Sequence, residues 1–283
     1  MPRNIIILNP KRLERLKKAI LKKGKERLHI LSDFDRTLTY AFVKGEKVPS
    51  LISILRSSGK YLGKDYAERA NALYEKYHPI EINLKLPFQK RKKAMEEWWR
   101  THFELLIKSG LNKKHLKEVA KSPKIKFRKG ALEFFDILYK YKIPLVIMSS
   151  SGLGGDVILE VLKERKKLYS NIYIVSNAFI WDKRGQAIKV KEPIIHTLNK
   201  DEAILKHFSF YPKIKNRKNI LLLGDNLEDI GMVKGFKYDN LIKIGFLNEN
   251  IKENLGKYKK AYDILILNDS SMDYVSLLLK EII

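Results

Sequence analysis

Cysteine is absent from the 283 residues, so neither a disulfide framework nor a Cys-ligated zinc site organises the chain. Also missing is any apolar run of about 18 residues, the length a membrane span needs, so no membrane partner is expected. Acidic residues are in short supply: 32 Asp and Glu stand against 57 Lys and Arg, a formal net charge of +25. No nucleic-acid-binding motif accompanies this excess. The lysines are spread along the chain, from Lys11–Lys25 through Lys85–Lys93 and Lys113–Lys129 to Lys252–Lys260, so the charge reads as a solvated surface and nucleic acid is not the expected partner. The opening MPRNIIILNPKRLERLKKAILKKGKER carries too much charge after too short an apolar run for a secretory signal. A cytoplasmic monomer is the expectation.

What is present is a folded globule's composition: 45% hydrophobic residues, with three Trp, 14 Tyr and 12 Phe. Short apolar runs recur at Leu28–Ser32, Ile143–Met148, Ile172–Val175, Ile220–Leu223, Leu241–Ile244 and Ile264–Leu267. Helix-compatible stretches, such as Ala131–Tyr141, Val157–Leu168 and Asp201–His207, separate most of them. Near-continuous apolar strands alternating with helices imply a doubly wound, Rossmann-type α/β fold with a parallel sheet covered on both faces. Residues 49–125 break the alternation with amphipathic helices over Asp65–Tyr77 and Gln89–Lys108, and read as a helical cap inserted between the first and second core strands. The expected organisation is a basic helical extension over 1–27, an α/β core over 28–48 and 126–283, and the cap over 49–125.

The scarce acids are grouped where such a fold puts its ligands, beyond the carboxyl ends of the strands. LHILSDFDRTLTY ends a strand in Asp33 and Asp35, and LLLGDNLED ends another in Asp225 and Asp229. Four carboxylates in one crevice repel each other unless they hold a hard cation, and oxygen-only ligands suit Mg²⁺. Between the two clusters, IMSSSGLGGD sets serines and glycines before a helix, an arrangement suited to phosphate. A lysine belongs nearby to neutralise the phosphate, with Lys189, Lys191 and Lys200 as candidates. His78, His102 and His196 have no ligand spacing and are read as non-metal.

The run DFDRTLT at 33–39, the strand-terminal Ser149 and the Gly-Asp-x-x-x-Asp of 224–229 resemble the motifs of the haloacid dehalogenase superfamily of phosphohydrolases. The segments KYHPIE (76–81), EEWW (96–99), IVSNAFIWDKRGQAIK (174–189), IHTLNK (195–200) and IKIGFLNENIKENLGKYKKAYDILILND (242–269) are similar, more closely, to the cytosolic pyrimidine 5′-nucleotidase family. That resemblance implies a phosphoric monoester hydrolase acting on nucleoside 5′-monophosphates, pyrimidine ones in particular. It makes Asp33 the nucleophile that forms an aspartyl-phosphate and Asp35 the proton donor and acceptor. It gives Mg²⁺ to Asp33, the Asp35 carbonyl, Asp225 and Asp229, and phosphate to Lys200 and to Ser149, with Ser150 the alternative because this chain has three serines in a row. Glu81 would read the base, and of Trp98 and Trp99 one would be core and the other would stack on the base, with Trp98 the choice. The residues before Leu28 find no counterpart in the resemblance. Competing readings are a phosphatase for a sugar phosphate or phosphoserine, and a basic nucleic-acid-binding protein on the same fold.

Overall fold

A computed structural model describes residues 4–56, 59–83 and 85–283; the first three residues of the expected N-terminal extension lie outside them. Among the described residues eleven strands occur: β1 (Ile5–Ile7), β2 (Leu28–Ser32), β3 (Phe42–Val43), β4 (Glu46–Lys47), β5 (Leu145–Met148), β6 (Ile172–Val175), β7 (Phe179–Trp181), β8 (Ala187–Val190), β9 (Asn219–Gly224), β10 (Asn240–Leu247) and β11 (Ile264–Leu267). Seven of them form one sheet in the order β1-β11-β10-β9-β2-β5-β6, parallel except for β1. All six apolar runs are strands of this sheet, and β2, β5, β9 and β11 are buried at every position. Burial on both faces explains why their sequences show no alternation.

Two cores result. Leu28, Ile30, Leu145, Ile147, Leu221 and Leu223 pack on one side with the helices α1 (Pro10–Lys23), α6 (Ala131–Lys140), α7 (Gly154–Glu164) and α10 (Asp273–Glu281). Leu31, Val146, Met148, Ile220 and Leu222 pack on the other with α8 (Tyr211–Ile214), α9 (Ile251–Ala261) and the 3₁₀ segments Glu202–His207 and Leu227–Val233. Asp201–His207, expected as helix, is thus 3₁₀ over 202–207.

The chain lays β5 and β6 on one side of β2, then returns to lay β9, β10 and β11 on the other. The strand order therefore reverses between β2 and β9, and a crevice opens at their carboxyl ends. Above it stand α2 (Leu51–Arg56), α3 (Gly63–Ile82) and α4 (Phe88–Lys108), and α5 (Lys113–Ala120) follows them in the chain. α3 continues through Pro79 to Ile82, beyond the expected Tyr77, and carries Glu81 on its last turn. α5 packs on α7 and is tied to the β7–β8 hairpin, where the Lys113 N–H donates to the Gly185 carbonyl at 2.9 Å.

The N-terminal segment differs from a plain helical extension. β1 pairs antiparallel with β11, and α1 buries Leu13 and Ile20 in the core. Asn9 caps α1 by accepting the Arg12 N–H at 2.9 Å, with Pro10 in the first turn.

Candidate active site

Asp33 follows β2 directly, and its N–H extends the ladder to the Leu223 carbonyl of β9 at 3.0 Å. Adjacent strands lie about 4.8 Å apart, so the residues that leave β2 and β9 must meet. Asp33, Asp225 and Asp229 each bring a carboxylate oxygen within 4.8 Å of the others. Gly224 makes this approach possible: a Cβ there would stand 2.5 Å from the Asp229 Cβ. Asp229 turns back on its own loop, its Oδ2 accepting the N–H groups of Asp225 at 3.1 Å and Asn226 at 3.0 Å. Tyr258 of α9 donates its hydroxyl to the Asp225 carbonyl at 2.6 Å, and Tyr262 donates to the Asn226 carbonyl.

Of the three candidate lysines, Lys189 and Lys191 are exposed, whereas Lys200 is buried in the cluster. Its Nζ donates to Asp33 Oδ1 at 2.5 Å and to Asp229 Oδ1 at 2.8 Å. Burial works against the ammonium, but Asp229 and Asp33 outweigh it and raise its pKa. The carboxyls still carry an excess of negative charge. Burial pushes Asp33 up to about 6, with Lys200 opposing and Asp229 adding. Burial lifts Asp35 to about 7, with Asp33 adding and Arg36 opposing. Asp225 is raised well above the usual carboxylate range by burial and then by Asp33 and Asp229. Three converging carboxylates, oxygen donors only and uncompensated charge fit a divalent cation.

The serine turn after β5 forms the adjoining wall. Ser149, Ser150 and Ser151 all line the cavity. Ser151 Oγ accepts the Leu153 N–H at 3.2 Å within the turn, while the hydroxyls of Ser149 and Ser150 have no partner among the described residues. Asn177 lies two residues beyond β6. Its Nδ2 donates to the Ser151 carbonyl at 3.2 Å and the Ile195 carbonyl at 2.8 Å, so it fastens the serine turn to the loop that carries Lys200.

The roof belongs to α3 and α4. Trp98 is buried between Tyr77 and Trp99, stacked on both at centroid distances of 5.8 and 5.7 Å. Trp99 continues the stack to Phe103 at 5.7 Å and presses on the serine turn, where a Cβ on Gly152 would come within 2.8 Å of its ring. Both tryptophans line the cavity. Glu81 reaches down to the core: Thr197 donates its hydroxyl to Oε1 at 2.6 Å, and the His78 ring meets Oε2 at 3.0 Å. Arg91 of α4 bridges the same gap, donating to the Glu81 carbonyl at 2.6 Å and to Glu228 Oε1 at 3.1 Å. The structure thus lines one cavity of about 900 Å³ with Asp33, Asp35, Ser149, Ser150, Lys200, Asp225 and Asp229 below and Glu81 and Trp98 above. Among the described residues no histidine joins the acidic cluster. Thr197 and Arg128 escaped the sequence reading. Thr197 lies in a segment already singled out, IHTLNK, but Arg128 has no local signal because its acceptors come from remote loops.

Known proteins match the chain over most of its length. The family model for pyrimidine 5′-nucleotidase (UMPH-1) matches residues 36–283, starting just after the Asp33–Asp35 pair. The chain is 33% identical over 278 residues to the 7-methylguanosine phosphate-specific 5′-nucleotidase of Gallus gallus, covering 98% of this chain and 95% of that one. The crystal structure of cytosolic 5′-nucleotidase IIIB bound to cytidine superposes with a TM-score of 0.90 at 29% identity, covering 100% of this chain and 94% of that one. Its coverage extends over the N-terminal residues for which the sequence resemblance had no counterpart. A haloacid dehalogenase family hydrolase from Salmonella enterica shares the fold, at a TM-score of 0.56 and 12% identity, covering 96% of this chain and 81% of that one. The chain therefore belongs to the pyrimidine 5′-nucleotidase (UMPH-1) family, phosphoric monoester hydrolases on a haloacid dehalogenase-type fold.

Proposed function

We propose that this protein is a Mg²⁺-dependent nucleotidase that converts nucleoside 5′-monophosphates to nucleoside and phosphate through an aspartyl-phosphate on Asp33. The observation that carries the reading is the placement of Asp33, held by Lys200, at the strand-order reversal, directly under a roof that presents Glu81. Asp33 attacks phosphorus, and the bond from phosphorus to the nucleoside 5′ oxygen breaks. Asp35 gives its proton to that oxygen, then takes one from the water that cleaves the aspartyl-phosphate. Its elevated pKa of about 7 suits both duties. Lys200 and the Ser149 hydroxyl, with Ser150 beside it, receive the phosphoryl oxygens. Asp33, the Asp35 carbonyl, Asp225 and Asp229 are the groups to hold Mg²⁺, which when bound neutralises charge on the phosphoryl group.

For the base, Glu81 offers an acceptor and the tryptophans an aromatic wall. Cytosine has an exocyclic amine to donate to Glu81, and 7-methylguanine adds a positively charged ring that favours both the carboxylate and the aromatic faces. Uracil lacks the amine. The names of the relatives and the cytidine in the similar structure agree with this pair. Phosphate release should be measured on cytidine, uridine, adenosine, guanosine and 7-methylguanosine monophosphates, a sugar phosphate and phosphoserine, with Mg²⁺ or with chelator. Release from cytidine and 7-methylguanosine monophosphates that stops with chelator is the expected result. Preference for the sugar phosphate or phosphoserine would overturn it.

A further inference from the structure

The guanidinium of Arg128 is fully buried, an unusual place for a charge. Its acceptors lie on three separate loops. Nε donates to the Thr37 carbonyl at 2.8 Å. One Nη donates to the Ser270 carbonyl at 2.7 Å and meets Asp269 Oδ1 at 2.9 Å. The other donates to the Arg36 carbonyl and to Asn248 Oδ1 at 2.7 Å. The Asp269 carboxylate in turn accepts the N–H groups of Ala41 at 2.9 Å and Phe42 at 2.8 Å. Arg128 and Asp269 therefore grip both ends of the segment that follows Asp35.

That segment begins under strain. Arg36 has φ 61°, left-handed backbone that residues other than glycine adopt uncommonly and at a cost the surroundings must offset. Its carbonyl is the point of enforcement, receiving both Arg128 and the Asn248 Nδ2, the latter at 3.0 Å. If Arg36 relaxed, the chain at Asp35 would shift and swing the carboxyl off its line to the substrate, whereas a movement confined to the Asp35 carbonyl would weaken Mg²⁺ binding and slow every substrate alike.

We propose that Arg128, with Asn248 as its partner on the same carbonyl, is a positioning residue that aims Asp35 for proton transfer to the leaving group. The inference rests on the role given to Asp35 above. A lysine cannot substitute, since it lacks the planar fork that reaches acceptors on three loops at once.

The test is the dependence on leaving group. A nucleoside leaves as a strongly basic alkoxide that needs a proton, whereas p-nitrophenolate leaves unprotonated. In Arg128→Lys and Asn248→Ala, first-turnover cleavage of the preferred nucleotide should fall about 10-fold or more, within the range general acid catalysis supplies, while first-turnover release of p-nitrophenolate from p-nitrophenyl phosphate stays within about 2-fold. A general loosening of the site would lower both by the same factor, and that result, or no change in either, overturns the proposal. Asn248 is only half-buried, so its variant decides the matter if Arg128→Lys fails to fold. Asp35→Asn is the control. If it too affects both substrates equally, the role of Asp35 falls and the inference with it; if Asp35→Asn shows the bias and the other variants do not, only the inference falls.

Discussion

At the floor of the cavity, Lys200 joins Asp33 and Asp229 through hydrogen bonds of 2.5 and 2.8 Å, and the Asp229 carboxylate is further bonded to its own loop. In the roof, Tyr66 Oη, Trp99 Nε1 and His102 Nε2 are buried with no partner among the described residues. The floor is built from strand ends, where backbone pairing dictates which side chains meet. The roof is built from stacked rings on two helices, where shape dictates it. A floor of that kind permits little variation, because each buried charged group is held by specific partners. The roof can be altered by degrees.

The sharpest test of this contrast is Asp33→Asn, which keeps the shape of the floor and removes its nucleophile. Turnover should drop on the order of 10³-fold or more, with the melting temperature close to that of the parent. Near-parental turnover would take the nucleophile role from Asp33. Next comes Lys200→Ala, for which a loss of about 10²-fold or more is expected. Lys189→Ala and Lys191→Ala, at exposed positions, should stay within about 2-fold, as surface changes usually do. Equal losses in all three would undo the assignment of Lys200.

Glu81→Ala probes the roof. Its KM for the preferred nucleotide should rise about 10-fold, the scale of one lost buried hydrogen bond, and discrimination among bases should narrow. Hydrolysis of p-nitrophenyl phosphate should hardly change, since that substrate has no base. Should both activities fall together, Glu81 supports the structure through Thr197 and reads nothing.

The smallest effect is the most telling about the two regions, because their responses to pH have opposite sign. Asp33 and Asp35, raised by burial from 3.8 to about 6 and about 7, hold protons in the folded state that the unfolded chain has released. In metal-free protein their contribution to stability therefore declines as pH rises from about 4 to about 7. His102 and His196, lowered from 6.5 to about 3 and about 4 mainly by burial, stay neutral while the unfolded chain takes up protons, so stability declines as pH falls below about 6.5. Lys200 is raised from 10.5 and adds no slope in this window. Melting temperatures across pH 4–8 should show the two trends offsetting each other in metal-free protein. Saturating Mg²⁺ should remove the Asp33 part of the first trend, and His102→Phe should make the histidine trend shallower, His196 supplying the remainder. An identical pH profile with and without Mg²⁺ would separate the cation from these carboxylates.

The same division governs what the sequence reveals. Asp33, Asp35, Asp225 and Asp229 could be located because a buried strand ending in carboxylates is a one-dimensional pattern, and the winding of the sheet brings its ends together. Lys200 could not be chosen by spacing in so basic a chain; the family resemblance selected it, and its burial now distinguishes it from Lys189 and Lys191. The β7–β8 hairpin was available in the Asp182–Gly185 turn, whose Asp182 Oδ1 accepts the N–H groups of Arg184 and Gln186, both at 2.8 Å, but it lay unread among the family segments. Arg128 was invisible for a physical reason. It stabilises carbonyls at residues 36, 37 and 270, and nothing around position 128 records distant main-chain acceptors. Strand β1 also escaped notice, since three isoleucines are too few to show a period.

That short strand has a consequence for how the molecule behaves among its own copies. Without β1 the sheet would end in Ile264–Leu267, four fully aliphatic residues with one row of N–H and C=O groups open to the first partner that arrives. Such an edge invites aggregation. β1 covers it antiparallel, with the Leu8 N–H donating to Asp263 at 3.0 Å and the Leu267 N–H to Asn4 at 2.9 Å, and the chain then turns at once into a helix studded with lysine and arginine. Pulling residues 4–8 off that edge would first show as precipitation on storage, in protein whose freshly prepared catalytic residues were all still in place.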